Sequence, residues 1–142
     1  MLRPALIALL LSAAPALAGG NERVFPAAPD GTISFGMPSG NVGCHYIPAG
    51  GTSVYDTATG DEELHCIRLQ PQTLVVILDQ HLGGSQPILS SEVPELPGGP
   101  VLPYGAFWQA GAFTCLSARN GLVCTNASGA GLRMSRAEVV TW

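Results

Sequence analysis

The chain contains no lysine: its six basic residues are all arginine, set against ten acids, for a formal net charge of −4 over 142 residues. Charged side chains make up only 11% of it. That balance excludes the basic stripe with which proteins neutralise nucleic-acid phosphates or anionic membrane surfaces. No Cys-x-x-Cys, His-Glu-x-x-His or glycine-rich phosphate loop is present, so the commonest redox, zinc-protease and nucleotide signatures are missing as well. The longest apolar stretch, residues 5–14, is about half of the ~20 residues that a membrane-spanning helix requires.

That stretch has another reading. Arg3, the apolar run, Pro15 and the small-residue pattern Ala16-Leu17-Ala18 form a secretory signal peptide with cleavage expected after Ala18. No cysteine follows to accept a lipid, and loss of Arg3 makes the remainder one unit more negative. The expected product is a monomeric chain, residues 19–142, periplasmic or secreted and without membrane insertion. Its length suits one domain.

Four cysteines behind a signal peptide imply a disulfide framework, for which three connectivities are possible. Sequential pairing, Cys44 with Cys66 and Cys115 with Cys124, is favoured because each pair sits in a hairpin-like context. A cross-strand disulfide needs directly opposed residues, whose index sum is constant along an antiparallel pair. With Cys115 opposite Cys124, Thr114 faces Thr125, Leu116 faces Val123 and Ser117 faces Leu122. This leaves Ala118-Arg119-Asn120-Gly121 as the loop. The two-residue type I′ turn that Asn120-Gly121 suggests would put Cys115 opposite Asn126, out of reach. By the same rule Cys44 opposite Cys66 places His45 directly opposite His65, on the sheet face away from the disulfide.

Apolar alternation and turn residues mark further strands at 32–35, 42–47, 64–69 and 132–134, and an unbroken apolar run at 73–78 is expected to be a central strand. Residues 106–109 lead into the second hairpin, with Phe107 and Trp108 on opposite faces. Residues 19–31 read as an irregular lead-in, and 48–63 as a long polar hairpin loop whose Asp61-Glu62-Glu63 is expected to be solvated rather than to hold a hard cation. Residues 80–103 are rich in proline and glycine, which excludes a regular helix or central strand there and marks the segment as functional or mobile. Near the end, Ser135-Arg136-Ala137-Glu138 matches a capping box and predicts a short helical turn before an apolar tail. Asn126-Ala127-Ser128 matches a glycosylation sequon. The fold expected from these elements, residues 32–142, is all-β and mainly antiparallel. It would be a small single-domain sheet or partly open barrel built on two disulfide-stapled hairpins.

The surroundings of the two cysteine pairs are similar: Gly40 and Gly111 stand four residues before Cys44 and Cys115, and Leu64-His65-Cys66 matches Leu122-Val123-Cys124. This is a weak internal repeat. Several segments also carry a family likeness: Phe35-Gly36-Met37-Pro38-Ser39-Gly40-Asn41-Val42-Gly43-Cys44, Leu64-His65-Cys66-Ile67, Tyr104-Gly105, Cys115-Leu116-Ser117, Gly121-Leu122-Val123-Cys124-Thr125-Asn126, and the run from Gly129 to Arg136. In that order they resemble the small secreted bacterial proteins of domain-of-unknown-function family 6636. The resemblance implies an exported, disulfide-bearing domain and brings no activity with it. Members of that family read Gly-His-Gly-Phe where this chain has Gly129-Ala130-Gly131-Leu132, and carry further cysteines and a tryptophan-glycine element that residues 70–103 lack.

No catalytic constellation stands out. Cys44-His45 and His65-Cys66 place their thiols where oxidation is expected, so a cysteine–histidine pair has no free nucleophile. Ser39 sits on a turn without a nucleophile-elbow pattern around it. The weak candidate metal pair is His45 and His65, which with Glu63 offers fewer committed ligands than zinc normally uses. No cofactor is expected. The reading is a non-catalytic binding or interaction module for an unknown envelope or extracellular protein or glycan; the alternative is a small extracytoplasmic enzyme or weak metal-binding protein.

Overall fold

A computed structural model of the chain describes residues 21–90 and 95–142, so residues 1–18, where a signal peptide is expected, lie outside the described residues. The fold is all-β: two mostly antiparallel sheets face each other, and no barrel closes. One sheet is a meander of β2 (Ile33–Gly36), β3 (Val42–Ile47), β4 (Glu63–Arg68), β5 (Leu74–Asp79) and the two-residue β6 (Ile88–Leu89). The other runs β7 (Phe107–Ala110), β8 (Phe113–Ala118), β9 (Gly121–Thr125), β10 (Gly131–Met134) and β11 (Val139–Thr141), with β1 (Glu22–Arg23) added in parallel beside β7.

Both disulfides form as the sequence predicts, and their registers follow. Cys44 lies opposite Cys66 and His45 opposite His65; Cys115 lies opposite Cys124 and Leu116 opposite Val123. The second ladder runs one pair further than expected, to Ala118 opposite Gly121, leaving Arg119 and Asn120 as the turn. Among the described residues no non-glycine has positive φ, so Asn120 does not take the type I′ conformation. The loops closed by the bridges span 22 and 9 residues, for which chain-entropy arithmetic gives about 3.4 and about 2.6 kcal/mol as upper values.

Each sheet repeats one row across its inner face. In the first, Phe35, Cys44, Cys66 and Val76 stand side by side on β2 to β5; in the second, Trp108, Cys115, Cys124 and Leu132 do so on β7 to β10. All eight are buried. The rows meet face to face, with the Phe35 and Trp108 rings 4.9 Å apart and the sulfur of Cys124 within 4.8 Å of those of Cys44 and Cys66. The weak repeat read in the sequence is therefore a repeat of core position: aromatic, cystine, aliphatic. Burying side chains the size of Phe, Leu or Val contributes about 1.5–3 kcal/mol each, so these rows and the Leu78, Leu102, Phe113 and Leu122 around them hold the sheets together.

Several expectations are corrected. Ser135 to Glu138 form no helical turn. Ser135 and Glu138 close the β10–β11 hairpin, the Ser135 N–H donating to the Glu138 carbonyl and Ser135 Oγ accepting from the Glu138 N–H. The Glu138 carboxylate accepts from Arg133 instead of reaching back as a capping box would. The extended strand on each side outweighs the local helical signal. β5, by contrast, is the interior strand expected, paired along its length with β4 and on its other edge with β6 at Leu74 and Val75 and with Gly84 at Leu78. Residues 95–101 are also more tightly tied than their composition suggests. Val101 bridges Gly36, Gly36 N–H donates to the Pro100 carbonyl, and Leu102 enters the core. Gly99 requires its glycine: its φ is +127° and a Cβ would press on the Ser34 carbonyl.

Candidate functional site

The turns of the sandwich divide between its two ends, and the ends differ. At one end the long β3–β4 loop closes over the structure through buried polar clamps. Glu62 accepts from the Tyr46 hydroxyl and the Ala112 N–H, joining the two sheets. Gly111 has φ +53°, and a Cβ there would collide with the Glu62 carboxylate. Glu63 accepts from the Ala58 N–H and pairs with His65 Nε2 at 2.7 Å. The solvated acidic loop expected from Asp61-Glu62-Glu63 is thereby overturned, because Glu62 and Glu63 are buried and spent on internal donors.

Asn126 serves the same end. Its amide donates to the carbonyls of Asp79 and Leu82 and accepts from the N–H groups of Ser128 and Ala130, so the sequon asparagine is buried with donor and acceptor both engaged. Asp79 opposes its own burial, which raises its pKa, with hydrogen bonds from the His81 and Leu82 N–H groups and the Thr59 hydroxyl; their net effect holds it below 3.8.

His45 and His65 stand between these clamps and the middle of the sheet, on its outer face. Their rings are 5.6 Å apart, and Tyr55 packs edge-on to His45 at 4.8 Å. Burial first, and the neighbouring His65 second, push the His45 pKa down to about 4. The rings do not gather with Glu63 into a ligand set. Among the described residues, the one group of three or more potential ligand atoms within 4.8 Å of each other is Cys44, Cys66 and Cys124, all committed to disulfides.

The other end is open. The turns β2–β3, β8–β9 and β10–β11, with the residues before β7, surround a cleft of about 190 Å³ lined by Met37, Ser39, Asn41, Val42, Tyr104, Arg119, Gly121, Met134, Ser135 and Arg136. Its floor is apolar core and its rim is polar. Asn41 fixes the rim, since its side-chain amide donates to the Gln70 carbonyl and accepts from the Gln70 N–H, tying the β2–β3 turn to the β4–β5 turn. Ser39 Oγ accepts from the Asn41 N–H, the turn role expected for Ser39, and no histidine lines the cleft. Arg119 lies over the Tyr104 ring, 5.2 Å from its centroid. Arg136 reaches toward Gln70 and lines both this cleft and an adjacent open groove shared with Glu95 and Leu96.

Behind the rim, Arg68 is 5% exposed and donates to the carbonyls of Gln72 and Ser135; burial lowers its pKa. The two ion pairs among the described residues are His65–Glu63 and Arg133–Glu138, so Arg68, Arg119 and Arg136 have no carboxylate partner there. Sequence reading alone gave no reason to pick out Arg119 or Arg136. Of the segments singled out in the sequence, four meet at this cleft through Ser39, Asn41, Tyr104, Gly121, Ser135 and Arg136, whereas Arg119 lies in none of them.

Comparison of the chain with protein-family models, curated proteins and solved structures finds no match. Among the described residues, no helix is long and apolar enough to cross a membrane.

Proposed function

We propose that the chain is a non-catalytic binding module of the periplasm or the secreted fraction, and that the cleft at the open end of the sandwich receives part of an envelope or extracellular protein or glycan. The observation that carries this reading is the contrast between the ends. One is closed by buried clamps, while the other leaves a polar-rimmed cleft made of turns on a cross-linked scaffold, the arrangement in which loops serve recognition. Two disulfides fit an oxidising compartment. A non-catalytic role is favoured because the cleft brings together no nucleophile and base, and all four cysteines are paired.

The test is amide NMR of the exported protein titrated with soluble cell-wall fragments and envelope extract. Shifts confined to residues 39–41, 104–105, 119–121 and 135–136 are expected. Shifts on the outer face around His45 and His65, with none at the cleft, would overturn the proposal.

A further inference from the structure

We infer that the cleft takes an anionic group, a carboxylate or phosphate carried by the ligand, held by Arg119 and Arg136; this rests on the reading of the cleft as a binding surface. The chain as a whole is acidic, yet no Asp or Glu lines the cleft. Of the five arginines described, Arg68, Arg119 and Arg136 gather at this end, and none of the three has an acidic partner among the described residues. Glu95 is the acid of the neighbouring groove, and it makes no ion pair with Arg136.

The chemistry of these groups is directional. A guanidinium presents a planar fork of N–H donors that matches a carboxylate or phosphate in two parallel hydrogen bonds. Tyr104 supports Arg119 from one side, so its fork is oriented before a ligand arrives. Ser39 accepts a bond from the Asn41 N–H through Oγ, which leaves its hydroxyl proton to donate. Arg68 adds a fixed buried charge behind Ser135, where it is less screened than a surface charge. The volume, about 190 Å³, is below the ~300–1,000 Å³ of drug-sized sites, so it suits one anionic head group rather than a whole chain.

The experiment follows the arginine side-chain N–H signals of the exported protein during titration with inorganic phosphate, D-glucuronate and D-glucose. Phosphate and glucuronate are expected to shift Arg119 and Arg136, glucose not, and the affinity should weaken as salt is raised. Arg119→Gln and Arg136→Gln should each lower the affinity by about tenfold or more, as loss of a charged hydrogen-bonded pair does. Arg119→Lys, which keeps charge and loses the fork, should fall between. Arg133→Gln, outside the cleft and paired with Glu138, should leave affinity unchanged, and Glu95→Gln should raise it. Both glutamine sites are exposed, so the variants are expected to fold as the parent does. If glucose moves the cleft signals and the anions do not, the binding cleft stands and the anion falls. If no probe and no envelope fraction moves them, both fall. Equal affinity in the Arg119→Gln and Arg136→Gln variants would reduce the response to an adventitious ion only.

Discussion

The sulfur of Cys124 on one sheet lies within 4.8 Å of the sulfur of Cys66 on the other, although each is bonded to a different cysteine. Inter-sheet pairing is thus avoided by a short distance, and freeing one sulfur should start exchange. In Cys115→Ala, the Cys124 thiolate would attack the Cys44–Cys66 bond, forming a disulfide to one of its sulfurs and releasing the other as thiolate. Peptide mapping after mildly alkaline incubation is expected to find Cys124 joined to Cys66 or Cys44 in the variant and only the sequential pairs in the parent. An unchanged Cys44–Cys66 bond in the variant would mean that the packed core holds the sulfurs out of line.

Ser117 follows Cys115 on the inner face of β8 and is fully buried, with a hydroxyl that has no hydrogen-bond partner among the described residues. Such a group loses its hydration without compensation. Ser117→Ala removes the oxygen and changes the volume little, so it is expected to stabilise the protein by up to about 1 kcal/mol. The urea midpoint should rise; a fall of similar size would show that the hydroxyl has a partner in solution.

The strands were legible in the sequence where a disulfide fixed the register. Cys44–Cys66 and Cys115–Cys124 determined which residues oppose each other, and the opposition of His45 and His65 followed without further information. What could not be read was which sheet packs on which, because that depends on contacts between Phe35 and Trp108, 73 residues apart in the chain. The polar clamps were hidden for the same reason. Glu62 looks like part of a solvated acidic run until Tyr46 and Ala112 are brought against it. Ser135 was misread because its side chain does accept from Glu138 N–H, as a helix cap would, while the chain continues as a hairpin. The open cleft was legible only as scattered motif residues such as Ser39 and Arg136, since nothing local says that separate turns share one end.

Glu62 is the clamp whose loss should be felt most locally. Glu62→Ala leaves the Tyr46 hydroxyl and the Ala112 N–H without their acceptor, for an expected cost of about 2–4 kcal/mol. The Tyr46 hydroxyl, held up at about 12 by burial and then by Glu62, should ionise at lower pH in the variant. Ultraviolet titration reads the tyrosine and urea unfolding reads the stability. An unmoved tyrosine titration would sink the assignment of Glu62 to that hydroxyl.

Asn126 joins the end of β9 to the last residue of β5 and to Leu82 beyond it, with donor and acceptor both used. Asn126→Ala should cost about 2–4 kcal/mol, and Asn126→Asp should not rescue it, because a carboxylate cannot donate to the Asp79 and Leu82 carbonyls. Hydrogen exchange should quicken at Ser128 and Ala130, whose N–H groups lose their acceptor in the alanine variant. Unchanged protection there would show that the turn holds itself.

The pH dependence of stability below neutrality should be dominated by His45. Burial first and His65 second lower its pKa to about 4 in the folded protein, against 6.5 for an unburied ring. Between these values the unfolded chain binds more protons than the folded one, so stability rises with pH across the window and is indifferent to this group above it. The urea midpoint is therefore expected to fall as pH drops from 6.5 toward about 4. Asp79 acts in the same direction only lower down, since its unfolded value is 3.8 and its folded value lies beneath that. His45→Gln should flatten the upper window and leave the Asp79 limb. His65→Gln should keep the burial and remove the second cause, so the NMR titration of the His45 ring should move part of the way back toward 6.5. Parallel midpoints for parent and His45→Gln through the window, or a His45 titration unmoved by His65→Gln, would overturn this account of the pair.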